Sequence, residues 1–285
     1  MYYLFILGSI LIPILPRAFC YTMAKLIALA HFYFSKKDRV NVLYNLSPIV
    51  NDERTKRKYA KEVFINFSYY LVDFFRYSKL DNSFIDRYVR ISGLEGLKKV
   101  FAQQKGVIAL TAHLGNYELA GAVTSLLGYS LSVVALPHKD KRINSLFDNN
   151  RKRVGMKVIA TGSTIRGCFS ALKNGEMLAL LGDKDFAGGG LKIKMFSRDA
   201  FIPRGAAFFV LKTGVPVVPA FFIRENKNFY RLVFEEPIIF NSLKELDERS
   251  IINRYIPILE KYIKKYPGQW YMFEKYWLND TDNRR

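Results

Sequence analysis

At 285 residues and 33.0 kDa the chain is long enough for one large α/β domain or two small ones. Half of it is hydrophobic and 15% aromatic, which excludes disorder, and 44 Lys and Arg against 25 Asp and Glu give a net charge of +19. Such a field attracts something anionic: nucleic acid, an anionic membrane surface or an acidic carrier protein.

The first 34 residues bear on that choice. From Tyr2 to Phe34 the only Lys or Arg are Arg17 and Lys25, and Asp and Glu are absent. There is no basic leader, and Pro13, Pro16 and Arg17 interrupt the apolar run, so a secretory signal is a poor match. Tyr2–Leu15 by itself is short for a spanning helix. Residues 1–34 are therefore expected to form a kinked membrane anchor or a helical hairpin dipping into one leaflet. The competing reading is a buried N-terminal helix of a soluble domain. Lys36, Lys37 and Arg39 follow directly and favour a body on the cytoplasmic side of the membrane. An apolar leader of this kind argues against a nucleic-acid partner. Cys20 and Cys168 lie far apart with no metal-ligand spacing, which fits a reducing compartment and no zinc site.

Residues 35–92 read as polar-to-amphipathic helices. Val63, Phe64, Phe67, Tyr70, Leu71, Phe74 and Phe75 recur at helical spacing, as a core stripe or as a face toward lipid. After Gly93 the pattern changes to alternation. Strands are predicted at 107–111, 131–136, 157–160, 177–181, 217–222 and 230–234. Helices are predicted at 117–127, 143–154, 164–172, 206–212 and 251–265, several closed by glycine. The loop 182–190 ends in Gly188-Gly189-Gly190, a lid or a plain surface turn. Alternation of this kind predicts an α/β fold with a mostly parallel central sheet flanked by helices, here over residues 93–285.

In open sheets of this class the working groups lie beyond the carboxyl ends of strands. His113 follows the first of these strands, His138 the second, and Asp183 and Asp185 the fourth. His113 is separated by five residues from Glu118, across Ala112-His113-Leu114-Gly115-Asn116-Tyr117-Glu118-Leu119. On a continuous helix they would sit roughly 140° apart. They meet only if Gly115 bends the chain and Asn116 caps the helix that carries Glu118. A histidine with an acid to hold its tautomer is the minimum for taking a proton from an alcohol. Arg151, Lys152, Arg153 and Arg166 are candidates for binding phosphate, and Arg204 sits in a tight turn before a helix.

The 112–119 block resembles the His-x4-acid box of the lipid A biosynthesis (lauroyl/myristoyl) acyltransferases, within the glycerolipid acyltransferase superfamily. Three later stretches agree in order. They are the Asp-x-Asp loop at Leu180-Leu181-Gly182-Asp183-Lys184-Asp185, the block Thr213-Gly214-Val215-Pro216-Val217-Val218-Pro219, and Pro267-Gly268-Gln269-Trp270-Tyr271 with Trp277. The resemblance implies acyl transfer, without cofactor or metal, from acyl carrier protein or acyl-CoA to a hydroxyl of a lipid A precursor, at the cytoplasmic face of the inner membrane. It implies His113 as general base and Glu118 as its orienting partner. Asn116, Arg151 or Arg153, Asp183, Asp185 and Arg204 are then the substrate-binding candidates.

Two positions depart from the family pattern. Lys184 stands between the aspartates where Gln or His is commoner, and His138 stands where Arg is frequent. Backbone N–H groups of the Gly115–Asn116 turn and of the helix N-terminus behind it are candidates for the oxyanion donor. The alternatives are another acceptor, a phosphatidylinositol mannoside or a lysophospholipid, and an inactive lipid-binding membrane protein. Phe201-Ile202-Pro203-Arg204-Gly205, in place of Phe-Pro-Glu-Gly-Thr-Arg, counts against the lysophosphatidate branch.

Overall fold

Proline decides the shape of the N-terminal run. In the computed structural model, which describes residues 2–135, 140–159, 164–186 and 188–278, α1 (Tyr2–Ile14) stops beside Pro13. Pro16 then takes an extended backbone (φ −56°, ψ 135°) before α2 (Arg17–Phe34). After α3 (Lys36–Leu46), α2 lies along α4 (Glu53–Phe75), whose first turn is capped by the Asp52 carboxylate accepting from the Thr55 N–H. Ala24 and Ala28 of α2, four residues apart, let the two helices close on each other, against Tyr69 and Val72 at one end and Val63 and Phe64 at the other. The aromatic stripe of α4 is core: Phe64, Tyr70, Phe74 and Phe75 are buried.

The outer side of α1 and α2 is different. Ile10, Ile14, Phe19, Leu26, Ile27 and Phe34 are all exposed, Phe34 at 88%. Among the described residues no helix is long and apolar enough to cross a membrane.

The rest of the chain runs α5 (Asn82–Tyr88), β1 (Val89–Ser92), α6 (Leu94–Phe101), β2 (Val107–Thr111), α7 (Tyr117–Leu126), β3 (Leu131–Val134), α8 (Lys141–Arg153), β4 (Lys157–Ile159) and α9 (Thr164–Lys173). It continues through β5 (Met177–Leu181), β6 (Leu191–Met195), β7 (Arg198–Ile202), α10 (Gly205–Thr213), β8 (Val217–Arg224), β9 (Tyr230–Phe234) and α11 (Glu248–Lys265). Seven strands form one sheet in the order β1-β9-β8-β2-β5-β3-β4, parallel except where β9 turns back on β8. The expected α/β architecture is present, with two additions. β1 lies inside the stretch read as helical and pairs with β9 at the sheet edge. The hairpin β6–β7 forms a separate two-stranded ribbon between the 182–190 loop and α10. Its two-residue turn, Phe196-Ser197, has both φ angles positive (48° and 62°), a conformation usually signalled by Asn or Gly.

The central strands of the sheet have two dry faces. In β2, Val107 and Ala109 face the layer of α7 and α8, whereas Ile108 and Leu110 face that of α9, α10 and α11. A strand covered on both sides reads as a continuous apolar run, as Val107–Thr111 does.

Candidate active site

The register of two neighbouring strands builds the site. β2 and β5 pair in parallel with Thr111 opposite Leu181. Two residues beyond these ends, His113 and Asp183 therefore arrive side by side, at the carboxyl edge of the sheet. The Nδ1 of His113 lies 2.8 Å from Oδ1 of Asp183. Oδ2 of the same carboxylate accepts from the His113 backbone N–H (3.0 Å) and from the indole N–H of Trp270 (3.0 Å). Asp183 is 0% exposed. Burial by itself would raise its carboxyl, but the His113 ring, the indole and the backbone N–H outweigh it and hold the group below the ordinary carboxylate value. An ionised carboxylate only accepts, so Nδ1 carries the ring proton, and Nε2 is the basic nitrogen.

Gly115 makes the bend after His113. Its φ is +64°, and a Cβ there would meet the Phe222 carbonyl oxygen at 2.1 Å, so no other residue fits. Asn116 then caps α7, its Oδ1 accepting from the Leu119 N–H at 3.0 Å. The turn is pinned on its far side: Gly115 N–H donates to the Gln269 carbonyl, Asn116 N–H to the Phe222 carbonyl, and Tyr271 N–H to the His113 carbonyl. The first two bonds correct the expectation that the Gly115–Asn116 turn supplies oxyanion donors, because both N–H groups are already engaged.

The expected pairing of Glu118 with His113 is also corrected. Glu118 accepts two hydrogen bonds from Arg151 of α8, at 2.6 and 3.1 Å, in a bidentate pair whose side chains are 10–11% exposed. Arg151 also reaches Asp148. Burial would lower the guanidinium pKa, yet Glu118 holds it above its ordinary value. The carboxylate beside His113 is thus Asp183, seventy residues away in sequence, and it comes from the acidic loop rather than from the box that holds His113.

A cavity of about 560 Å³ opens between α7 and the sheet, within the roughly 300–1,000 Å³ of ordinary ligand pockets. His113, Glu118, Arg151, Lys184, Asp185 and Phe186 line it at the carboxyl ends of the strands. Leu131 and Met177, at the amino ends of β3 and β5, line it together with Ala179, Met156 and Phe234, so its depth is apolar. Thr111 lines this cavity, and its hydroxyl oxygen is buried with no partner among the described residues.

Of the other candidates, Asp185 accepts from the Gly188 and Gly190 N–H groups and so shapes the glycine turn. Lys184 pairs with Glu274 and lies 4.5 Å over the Phe186 ring. Asn116 is buried and does not line the cavity. Arg153 is exposed on α8, away from the cavity lining, and the exposed Arg204 pairs with Glu248 instead of reaching it. His138 lies outside the described residues. The sequence reading missed the role of the closing segment. Trp270 donates to the Asp183 carboxylate and Tyr276 to the Asp183 carbonyl, with Trp270, Tyr271, Tyr276 and Trp277 all buried against the domain.

The family model for bacterial lipid A biosynthesis acyltransferase matches residues 1–279. Among individual relatives, a phosphatidylinositol mannoside acyltransferase of Mycobacterium tuberculosis is 23% identical over 199 residues, which cover 68% of this chain and 62% of the relative. One of the same description from Mycolicibacterium smegmatis is 20% identical over 225 residues, covering 77% and 72%. A lipid A biosynthesis palmitoleoyltransferase of Escherichia coli is 23% identical over 192 residues, covering 66% and 61%. The matched part thus spans less than two thirds of the Mycobacterium tuberculosis and Escherichia coli relatives.

Proposed function

This chain belongs to the bacterial lipid A biosynthesis acyltransferase family, and on that premise we propose that it moves a fatty acyl chain from a thioester donor to a lipid hydroxyl. The observation that carries the reading is the His113–Asp183 pair at the mouth of an apolar cavity. An alcohol is a weak nucleophile near neutral pH and needs a positioned base, whereas a thioester is already activated. The acceptor hydroxyl gives its proton to Nε2 of His113 as its oxygen bonds to the thioester carbonyl carbon. The tetrahedral oxyanion then collapses, the carbon–sulfur bond breaks, and the imidazolium returns the proton to the departing thiolate. Asp183 stays ionised throughout. It fixes the tautomer and steadies the imidazolium.

The apolar depth of the cavity suits the acyl chain. Gly115 and Asn116 being engaged, we read the buried, unpartnered Thr111 hydroxyl at the end of β2, two residues before His113, as a donor to the carbonyl oxygen. The acceptor read here is a lipid A precursor. A phosphatidylinositol mannoside is the second reading, favoured by the names of the mycobacterial relatives.

The exposed apolar side of α1 and α2, followed by Lys36, Lys37 and Arg39, supports a monotopic seat on the cytoplasmic face of the inner membrane. The +19 charge suits acidic acyl carrier protein as donor, with acyl-CoA the alternative. The test is transfer of a labelled acyl group by the purified full chain, from each donor to each acceptor, with products identified by mass spectrometry. Transfer to the lipid A precursor that is lost in His113→Ala is the expected result. Failure with every acceptor, or activity that survives His113→Ala, overturns the reading.

A further inference from the structure

Asp73 lies near the end of α4, in the middle of the apolar stripe, and is 5% exposed. Its two oxygens accept from the hydroxyl of Tyr21 in α2, the side-chain amide of Asn116 (3.0 Å), the guanidinium of Arg224 at the end of β8 (2.5 Å) and the hydroxyl of Tyr230 at the start of β9 (2.6 Å). Arg17, at the start of α2, donates to the Tyr21 hydroxyl (2.9 Å) and the Tyr230 hydroxyl (2.6 Å). Burial, with Asp73 adding to it, pushes the Tyr21 hydroxyl up to about 12, so it stays a donor. A buried carboxylate without such partners costs several kcal/mol. Joining helices needs only apolar contact, so a fully satisfied ionic cluster points to geometry rather than adhesion.

Asn116 carries that geometry to the site. Its side-chain oxygen caps α7, its side-chain N–H₂ reaches Asp73, and its backbone N–H reaches Phe222. It stands one residue after the Gly115 bend and three after His113. Neither Asp73 nor Asn116 lines the cavity. The path from α2 to the base is therefore Tyr21, Asp73, Asn116 and the bend. A misplacement of 1 Å costs on the order of 10²-fold in rate.

We propose that Asp73 is a positioning residue for acyl transfer: through Asn116 it fixes the bend that carries His113, and through Tyr21 it makes that fix depend on the seating of α2. The proposal rests on His113 being the base, and its test keeps the two apart. In the full chain, Asn116→Ser keeps a capping oxygen but loses the donor to Asp73, and Tyr21→Phe removes the one direct hydrogen bond from α2 to Asp73, leaving the longer Arg17–Asp73 ion pair at 3.7 Å. Each is expected to lower kcat about tenfold with KM within about twofold, and the double variant to lose about tenfold rather than about a hundredfold, since both act through one carboxylate.

The pH profile should not move, because Asp183 still holds the ring. Hydrogen exchange of residues 112–120 supplies a readout that needs no activity: Tyr21→Phe is expected to speed it about tenfold. Unchanged exchange there, a kcat within twofold of the parent with only the melting temperature lowered, or multiplicative losses in the double variant each overturn the proposal. Transfer that survives His113→Ala removes the base assignment instead, and the exchange result still decides the coupling.

Discussion

An Asp183→Asn substitution changes the chemistry of one buried atom at constant volume, and the hydrogen bonds fix which atom it is. The Oδ2 position receives two N–H donors, from the His113 backbone and the Trp270 indole, each at 3.0 Å. The Oδ1 position faces Nδ1 of the imidazole at 2.8 Å. Asparagine has one oxygen, and placing its N–H₂ against two buried donors would leave both unsatisfied. The amide oxygen therefore takes the Oδ2 place and the N–H₂ turns to Nδ1, donating to it. The ring proton then sits on Nε2, the edge that on the proposed mechanism accepts from the acceptor hydroxyl. In a serine triad the corresponding change costs about 10⁴-fold, or roughly 5 kcal/mol at 1.36 kcal/mol per tenfold. The expected outcome here is a loss of 10³–10⁴ in kcat/KM with the chain still folded.

Glu118→Gln is the control that separates the two carboxylates. It removes half of the pair with Arg151 and costs about 3–5 kcal/mol of stability, at the upper end for a pair this buried, but leaves the His113 tautomer alone. The assay is acyl transfer to the lipid acceptor, alongside thermal unfolding. An Asp183→Asn enzyme within about tenfold of the parent, or a Glu118→Gln enzyme that loses more activity at equal folded fraction, refutes the assignment.

Filling the cavity midway, with Ala179→Phe on β5, should shift the transferred chain to a shorter one, read by mass spectrometry of the product. At roughly tenfold or more per methylene, an unchanged chain-length preference would place the acyl group elsewhere. Ile14→Glu with Ile27→Glu, at side chains 76% and 65% exposed, should weaken binding to vesicles of anionic lipid by about 10²-fold or more, given ~1.5–3 kcal/mol per buried aliphatic side chain, without lowering the melting temperature. Unaltered co-sedimentation counts against the membrane seat. The pH dependence of stability follows from Asp183, held below its ordinary value of 3.8. Through that range the unfolded chain binds more protons than the folded one. The stability Asp183 contributes is therefore complete above about 3.8 and is lost as pH falls through the lower folded value. The gap in denaturant stability between the parent and Asp183→Asn should narrow between about pH 6 and about pH 3, and a constant gap would contradict the pairing.

Elements bounded by strong local signals were legible in the chain. β2, β5 and β9 match their predicted bounds, the first two because continuous apolar runs flanked by polar or glycine residues have no other way to be covered. The convergence of His113 and Asp183 on one sheet edge was legible too, as equal offsets beyond two such runs. Their contact was not, since it depends on β5 lying next to β2 in the sheet order, which no local pattern records. Spacing along the chain offered Glu118 instead. β1 is four residues long, too short for alternation to show, and the β6–β7 turn at Phe196-Ser197 carries neither Asn nor Gly. Asp73 had a signal that went unread: a lone carboxylate between Val72 and Phe74, inside an otherwise apolar stripe.

Three carboxylates near the bend divide the work according to the group that holds each. Asp73 is held by Arg224, Glu118 by Arg151 and Asp183 by His113. A guanidinium does not give up its proton in a protein, so the first two pairs stay charged whatever occupies the cavity. Their placement uses that constancy. Asp73 holds the bend through Asn116, and Glu118 holds the first turn of α7, where the helix dipole also favours a negative charge. A carboxylate already neutralised by a bidentate guanidinium is also a poor competitor for the proton of an incoming hydroxyl. Of the three partners only the imidazole has a ring nitrogen that can accept and return a proton, so on the proposed mechanism its pair is the one that turns over. On the proposed mechanism two permanent pairs thus hold the chain just beyond Gly115 while His113 takes and returns the proton of the acceptor.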